Sequence, residues 1–247
     1  FSPKQTQIRL IEAVNQQGVY VLEAPTGLGK TEAALYMSYK MMAAGMATGL
    51  YFALPTQLTS DKIYERVNQF LDRILDDQTP NRAVLTHGNA WLTQFQMGEE
   101  VIPGGAWFAH GKRGVLAPFA VGTVDQALMA VMNVKHGFVR TFGLAGKVVI
   151  LDEVHTYDSF TGAILDALIK ALRQLHCTVI ILSATLTKER RSDLLGVPLE
   201  AGGYPLVTAQ PNQGVVQEIE TENIADDVVM VGHSTTTDAV DEALRRA

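Results

Sequence analysis

Two short stretches carry the residue types that phosphate chemistry needs. Residues 24–31 read Ala24-Pro25-Thr26-Gly27-Leu28-Gly29-Lys30-Thr31, and residues 152–155 read Asp152-Glu153-Val154-His155. In the first, Gly27 and Gly29 can take positive φ, which lets backbone N–H groups close on an anion. A helix starting after Gly29 aims its positive dipole end at the same point. Lys30 adds a point charge for β- and γ-phosphates, and the Thr31 hydroxyl is the expected Mg²⁺ ligand. Only Ala24 departs from the pattern G-x-x-x-x-G-K-[ST], a small-for-small change that still lets the loop wrap tightly. In the second stretch, Asp152 is an anion placed to hold Mg²⁺ together with Thr31, and Glu153 is placed to orient and deprotonate an attacking water. Alone, an acidic pair reads as a solvated loop. After a buried strand, and in a chain with a phosphate-binding loop, it reads as the other half of an ATP and Mg²⁺ site.

Such residues need a frame to bring them together. Short β-branched or apolar runs at 19–22, 50–54, 83–85, 120–121, 147–151 and 179–182 alternate with helical patterns at 8–14, 31–44, 61–75, 127–134 and 160–175. That alternation predicts an α/β domain with a mainly parallel sheet and helices on both faces. In an open α/β sheet ligands bind beyond the carboxyl ends of the strands, so the 24–31 loop, Pro55, Gly122, Asp152 and Ser183 should crowd one edge. Residues 90–118 show no clean period and read as an irregular insertion. From Ala201 onward the signal weakens, with Gly202, Gly203, Pro205 and Pro211 reading as connecting structure, and 238–247 reads as a helix.

The totals narrow the class. With 247 residues, 47% hydrophobic and 19% charged, the chain can bury a sizeable core, and no apolar run approaches the ~20 residues of a membrane helix. Cys177 is the sole cysteine, so no internal disulfide forms, and the first residues lack a signal pattern; a cytoplasmic location is expected. The net charge of −6 argues against broad adhesion to nucleic acid. A narrow channel can still hold a strand through backbone amides and helix N-termini. His176, beside Cys177, reads as a helix-end or core residue, and His110-Gly111-Lys112-Arg113 as a solvated loop rather than a metal site. Lys112, Arg113, Lys135 and Arg140 read equally well as nucleic-acid contacts and as solvated surface.

The 24–31 stretch, Asp152-Glu153-Val154-His155 and Ser183-Ala184-Thr185 resemble motifs I, II and III of superfamily-two helicases. Ala53-Leu54-Pro55-Thr56-Gln57, Thr86-His87-Gly88-Asn89, Thr123-Val124-Asp125-Gln126, the run from Val134 to Arg140, and Tyr204-Pro205-Leu206 narrow the resemblance to the helicase part of the CRISPR-associated type I effector helicase-nuclease. It covers nearly all of 1–207. The resemblance implies a RecA-like first motor lobe over 1–207, with 208–247 connecting toward a second lobe. It further implies an ATP-driven translocase on single-stranded DNA, moving 3′ to 5′, recruited by a CRISPR RNA-guided surveillance complex and coupled to an HD nuclease domain.

Position by position, Gln7 matches an adenine-reading glutamine by its spacing to Lys30, with Gln5 as the second candidate. Pro55, Thr56 and Gln57 match one DNA-backbone motif, and Thr123, Asp125 and Gln126 a second. The bland reading of each is a turn or helix cap, and Thr123 or Asp125 taken singly reads as a cap. Ser183, Ala184 and Thr185 would couple the γ-phosphate to the DNA grip, with His155 between. No histidine here is followed by Asp, so the family's nuclease is not expected in this chain. Nothing after Thr185 resembles the lobe carrying the arginine finger, whose absence costs roughly 10³ or more in turnover. Two other readings remain: another DExH helicase acting on RNA or DNA, and a nucleotide- and strand-binding module without useful turnover.

Overall fold

A computed structural model describes residues 3–75, 83–86, 114–132, 134, 137–154 and 159–221. The elements, in chain order, are α1 (Gln5–Ala13), β1 (Gly18–Glu23), α2 (Lys30–Ala43), β2 (Leu50–Leu54), α3 (Gln57–Ile74), β3 (Val84–Thr86), a 3₁₀ turn (Gly114–Leu116), β4 (Phe119–Thr123), α4 (Val124–Leu128), α5 (Gly137–Leu144), β5 (Val148–Leu151), α6 (Ser159–Gln174), β6 (Thr178–Ser183), α7 (Lys188–Leu195), β7 (Leu206–Pro211) and β8 (Gln217–Glu220). All eight strands form one sheet, ordered β3-β4-β2-β5-β6-β1-β7-β8. Every pairing among β1 to β6 is parallel, while β7 runs antiparallel to β1 and β8 antiparallel to β7. This is the mainly parallel α/β architecture that the alternation predicts.

The inner strands are buried along their whole length because both faces are covered, which is why they read as continuous apolar runs. Alternate residues therefore feed two cores. Tyr20, Leu22, Phe52, Ile150 and Ile180 pack under α1, α2 and α3, while Val19, Val21, Ala53, Val149 and Ile181 pack under α4, α6 and α7.

Several elements differ from the sequence pattern. The expected helix at 127–134 is instead α4, ending at Leu128. Ala130 and Val131 bond back three residues, to Ala127 (2.9 Å) and Leu128 (3.1 Å), which tightens the turn and returns the chain toward α5. Thr141 Oγ1 then ties α5 to the Ala130 carbonyl at 2.7 Å. Position 207 falls inside β7, and β8 extends the sheet to Glu220. Of the irregular insertion, residues 90–113 lie outside the described residues, as do 222–247. Residues 114–118 are ordered against the sheet: Lys147 Nζ donates to the Val115 carbonyl at 2.7 Å and to that of Ala117.

One glycine sets the spacing of the β3–β4 edge. Tyr51 Oη donates to the Thr123 carbonyl (3.1 Å) and lies 3.2 Å from Thr86 Oγ1. A Cβ on Gly122 would collide with the Thr86 side chain and backbone, so only glycine lets β3 and β4 approach around this hydroxyl pair.

Candidate active site

Because β1, β2, β4, β5 and β6 are parallel neighbours, the residues following each of them emerge at a single edge. Register makes this concrete: Leu54 pairs with Thr123, and Glu23 with Ser183. The 24–31 loop, Pro55, Thr123, Asp152 and Ser183 are thus brought together by the sheet.

Between β1 and α2 the loop turns on Gly27 (φ 85°) and Gly29 (φ 75°), both left-handed, and Gly29 caps α2. Lys30 folds over its own loop, its Nζ donating to the Ala24 carbonyl at 2.7 Å. Pro25, Thr26 and Leu28 complete the curve, and Thr31 stands half-buried in the first turn of α2. From outside, α1 braces the loop. Buried Gln7 accepts from Lys4 N (2.8 Å) and donates to the Gly29 carbonyl (2.9 Å), and Lys4 Nζ reaches the Gly27 carbonyl at 3.2 Å. A side chain at Gly29 would strike the Gln7 amide, so this glycine serves both its φ and that contact.

Asp152 follows β5 and is 7% exposed. Its Oδ1 accepts from the Glu153 N–H at 3.0 Å, and its own N–H donates to the Ala53 carbonyl at 3.0 Å. Burial pushes its carboxyl up to about 6, with the adjacent Glu153 charge adding to the rise and Lys30 and Arg66 opposing it. Burial likewise lowers the Lys30 ammonium below its ordinary range, against the pull of Glu153 and Asp152. Asp152 and Lys30 are thus each penalised by burial, and with Glu153 they share one field at the loop. Glu153 holds a left-handed backbone, φ 55°, which ends β5 abruptly. His155 lies outside the described residues.

Thr56 caps α3, accepting from Thr59 N at 3.5 Å, and it and Gln57 are exposed. Thr123 precedes α4 and is 6% exposed without a side-chain cap bond, while Asp125 is exposed in the first turn. Arg140 is neither solvated nor poised at the surface. It is buried, and its Nη2 donates to Gln126 Oε1 at 3.3 Å, because α5 turns its polar residue inward. Lys112, Arg113 and Lys135 lie outside the described residues. Ser183 is buried, its Oγ donating to the Thr185 carbonyl at 3.0 Å, and its own carbonyl accepts from Ala24 N at 3.2 Å. His176 is the exposed, left-handed residue (φ 56°) that ends α6.

Sequence reasoning did not mark Arg66, which pairs with Glu32 of α2 and acts on Asp152 from α3, because a single arginine on an amphipathic helix carries no motif. Nor did it mark Glu23, the residue before Ala24, which is buried and paired with Arg191 of α7. A charge at the end of an otherwise apolar strand was the available signal.

Among the described residues no group of three or more His, Cys, Asp or Glu is placed to hold a metal, and no helix is long and apolar enough to cross a membrane. The DEAD/DEAH box helicase model matches residues 4–193. The chain is 44% identical over 219 residues to the CRISPR-associated endonuclease/helicase Cas3 of Thermus thermophilus, covering 80% of this chain and 24% of that protein. It is 33% identical over 227 residues to the Cas3 endonuclease/helicase of Escherichia coli K12, covering 84% and 25%. It thus spans about a quarter of the length of these relatives. Among solved structures, T. fusca Cas3-ATP superposes with a TM-score of 0.75 at 32% identity, over 88% of this chain and 26% of that one. A chain of a pre-nicking CRISPR RNA-guided surveillance complex superposes at 0.63 with 30% identity, over 87% and 24%. The fold is that of a RecA-like helicase lobe, and the chain belongs to the DEAD/DEAH box helicase family.

Proposed function

We propose that this chain is the first motor lobe of an ATP-driven translocase that moves 3′ to 5′ on single-stranded DNA in CRISPR interference. The lobe works with a second helicase lobe, an HD nuclease and an RNA-guided surveillance complex. The observation that carries the reading is the convergence of Lys30, Thr31, Asp152 and Glu153 at one sheet edge, around a loop with two left-handed glycines. Similarity to Cas3 proteins, and to a structure of one with ATP, supports it.

Lys30 neutralises phosphate charge, and the loop N–H groups cradle it. Gln7, already set on the loop by Gly29, reads the base. Thr31 and Asp152 suit Mg²⁺ by donor chemistry: both are hard oxygen ligands, and a divalent cation would relieve the burial penalty on the Asp152 carboxylate. One carboxylate and one hydroxyl are what Mg²⁺ takes from a protein when phosphates complete its shell. Bound there, the ion would neutralise charge on the phosphates. Glu153 accepts the proton of the attacking water, and His155 belongs to the same sequence motif. Pro55, Thr56, Gln57, Thr123, Asp125 and Gln126 line the strand path, and Ser183, Ala184 and Thr185 connect it to the phosphate end.

The test is Glu153→Gln in the full protein. ATP binding should persist while turnover falls by on the order of 10² or more. Normal turnover in that variant would sink the mechanism. ATPase stimulation by single-stranded DNA and not by RNA of the same length separates this reading from an RNA helicase.

A further inference from the structure

The turn at 183–185 is held from three sides by groups outside it. Ala24 N–H donates to the Ser183 carbonyl at 3.2 Å, Tyr204 Oη donates to the Ala184 carbonyl at 2.8 Å, and Leu186 N–H, just past the turn, donates to Glu23 Oε1 at 3.2 Å. Glu23 is the last residue of β1, so its side chain ties the segment after the turn to the base of the nucleotide loop. Its other oxygen pairs with Arg191 of α7. Arg191 Nη2 goes on to the Ala201 carbonyl (2.5 Å) and to Glu218 of β8 (3.4 Å). Glu218 Oε2 in turn accepts from the N–H groups of Glu200 (2.9 Å) and Ala201 (3.0 Å). A continuous polar chain thus runs from the loop's base through α7 to β8.

Glu23 is 3% exposed and Arg191 2%. Burying such a pair carries a desolvation cost that apolar residues of similar volume would avoid, so stability alone does not account for it. What a buried, directional pair does fix is position, and misplacement by ~1 Å is enough to cost ~10²-fold where reacting groups must be aligned. The residues held are the 183–185 turn and the loop's first residue, the two pieces whose relative placement would carry a signal between phosphate and strand.

We infer that Glu23, Arg191 and Tyr204 are positioning residues that lock the 183–185 turn to the nucleotide loop, and through it couple ATP hydrolysis to strand engagement without touching either ligand. This rests on the helicase reading above. The test uses the full protein and measures affinity for a fluorescent ATP analogue, ATPase rate with and without single-stranded DNA, and melting temperature. Tyr204→Phe keeps the ring, on a side chain 41% exposed, and removes one hydrogen bond. It should leave nucleotide affinity, unstimulated rate and melting near wild type, and lower the DNA-stimulated rate about 3- to 10-fold, the value of one such bond. Glu23→Gln keeps the Leu186 acceptor and removes the charge facing Arg191; the stimulated rate should fall further, again out of proportion to the unstimulated one. Should Glu23→Gln fail to fold, Tyr204→Phe decides. Stimulation ratios unchanged in Tyr204→Phe, or both rates falling in equal proportion with melting, would overturn the coupling role. A wild-type protein that shows no DNA stimulation at all would instead overturn the helicase reading beneath it.

Discussion

The two ends of β5 both place charge in the interior, with different results. At the amino end Lys147 is 4% exposed, and its ammonium donates to the main-chain carbonyls of Val115 and Ala117. Burial lowers it to about 7, opposed by the nearby Cys177. At the carboxyl end Asp152 is 7% exposed and burial raises it to about 6, among Glu153, Lys30 and Arg66. Burial and a displaced pKa are common to both, so neither property identifies a site. What differs is the company. Lys147 faces carbonyls of one short segment and closes that segment onto the sheet. Asp152 faces titratable groups of both signs, brought from the loop, α2 and α3 to the edge where parallel strands end.

The contrast can be broken by exchanging what is removed. Lys30→Ala should weaken nucleotide binding by about 100-fold or more, roughly 3 kcal/mol, in a fluorescent-nucleotide titration. Lys147→Met should leave that affinity within about twofold; an equal loss would mean that the two ends are not functionally distinct. Lys147→Met should instead cost about 1–3 kcal/mol in urea unfolding, because the Val115 and Ala117 carbonyls lose their donor.

The smallest effect sharpens the same comparison through pH. With its folded pKa lowered to about 7 from an ordinary 10.5, Lys147 binds fewer protons in the native than in the unfolded chain between those values. Its contribution to stability therefore rises with pH across that window, by about 1 kcal/mol from pH 7 to 8. Cys177, whose thiol burial raises, works in the opposite direction only above its ordinary range near 9.0, so the interval chosen isolates the lysine. Unfolding at pH 7 and 8 should show a slope smaller by this amount in Lys147→Met.

The central strands, α2, α6 and the phosphate loop were legible because burial on both faces and glycine placement leave direct marks in sequence. Two helices were not, for a shared reason. On α5 the buried residues are Gly137, Arg140, Gly143 and Leu144, while Phe138 and Phe142 are 77% and 75% exposed, the reverse of an ordinary apolar stripe. On α7, Arg191 occupies the inner face beside Leu194 and Leu195, so the run reads as uniformly polar until Glu23 is seen across from it. β8, reading Gln-Glu-Ile-Glu at a sheet edge, is hidden likewise, since an edge strand needs little apolar content. At the site, the motif residues announced themselves. Glu23 and Arg66 did not, and Tyr204 was marked only by the resemblance and without a role, because each acts through a partner distant in sequence.

The backbone of Glu153, at φ 55°, has a bearing on how this chain can change over generations. A non-glycine residue in that conformation costs about 1 kcal/mol, which Asn or Gly would largely relieve. The residue we assign to the attacking water is thus also one the fold would trade away. Selection for heat resistance and selection for turnover pull this codon in opposite directions, so thermostable variants found without an activity screen should include dead enzymes altered at this position.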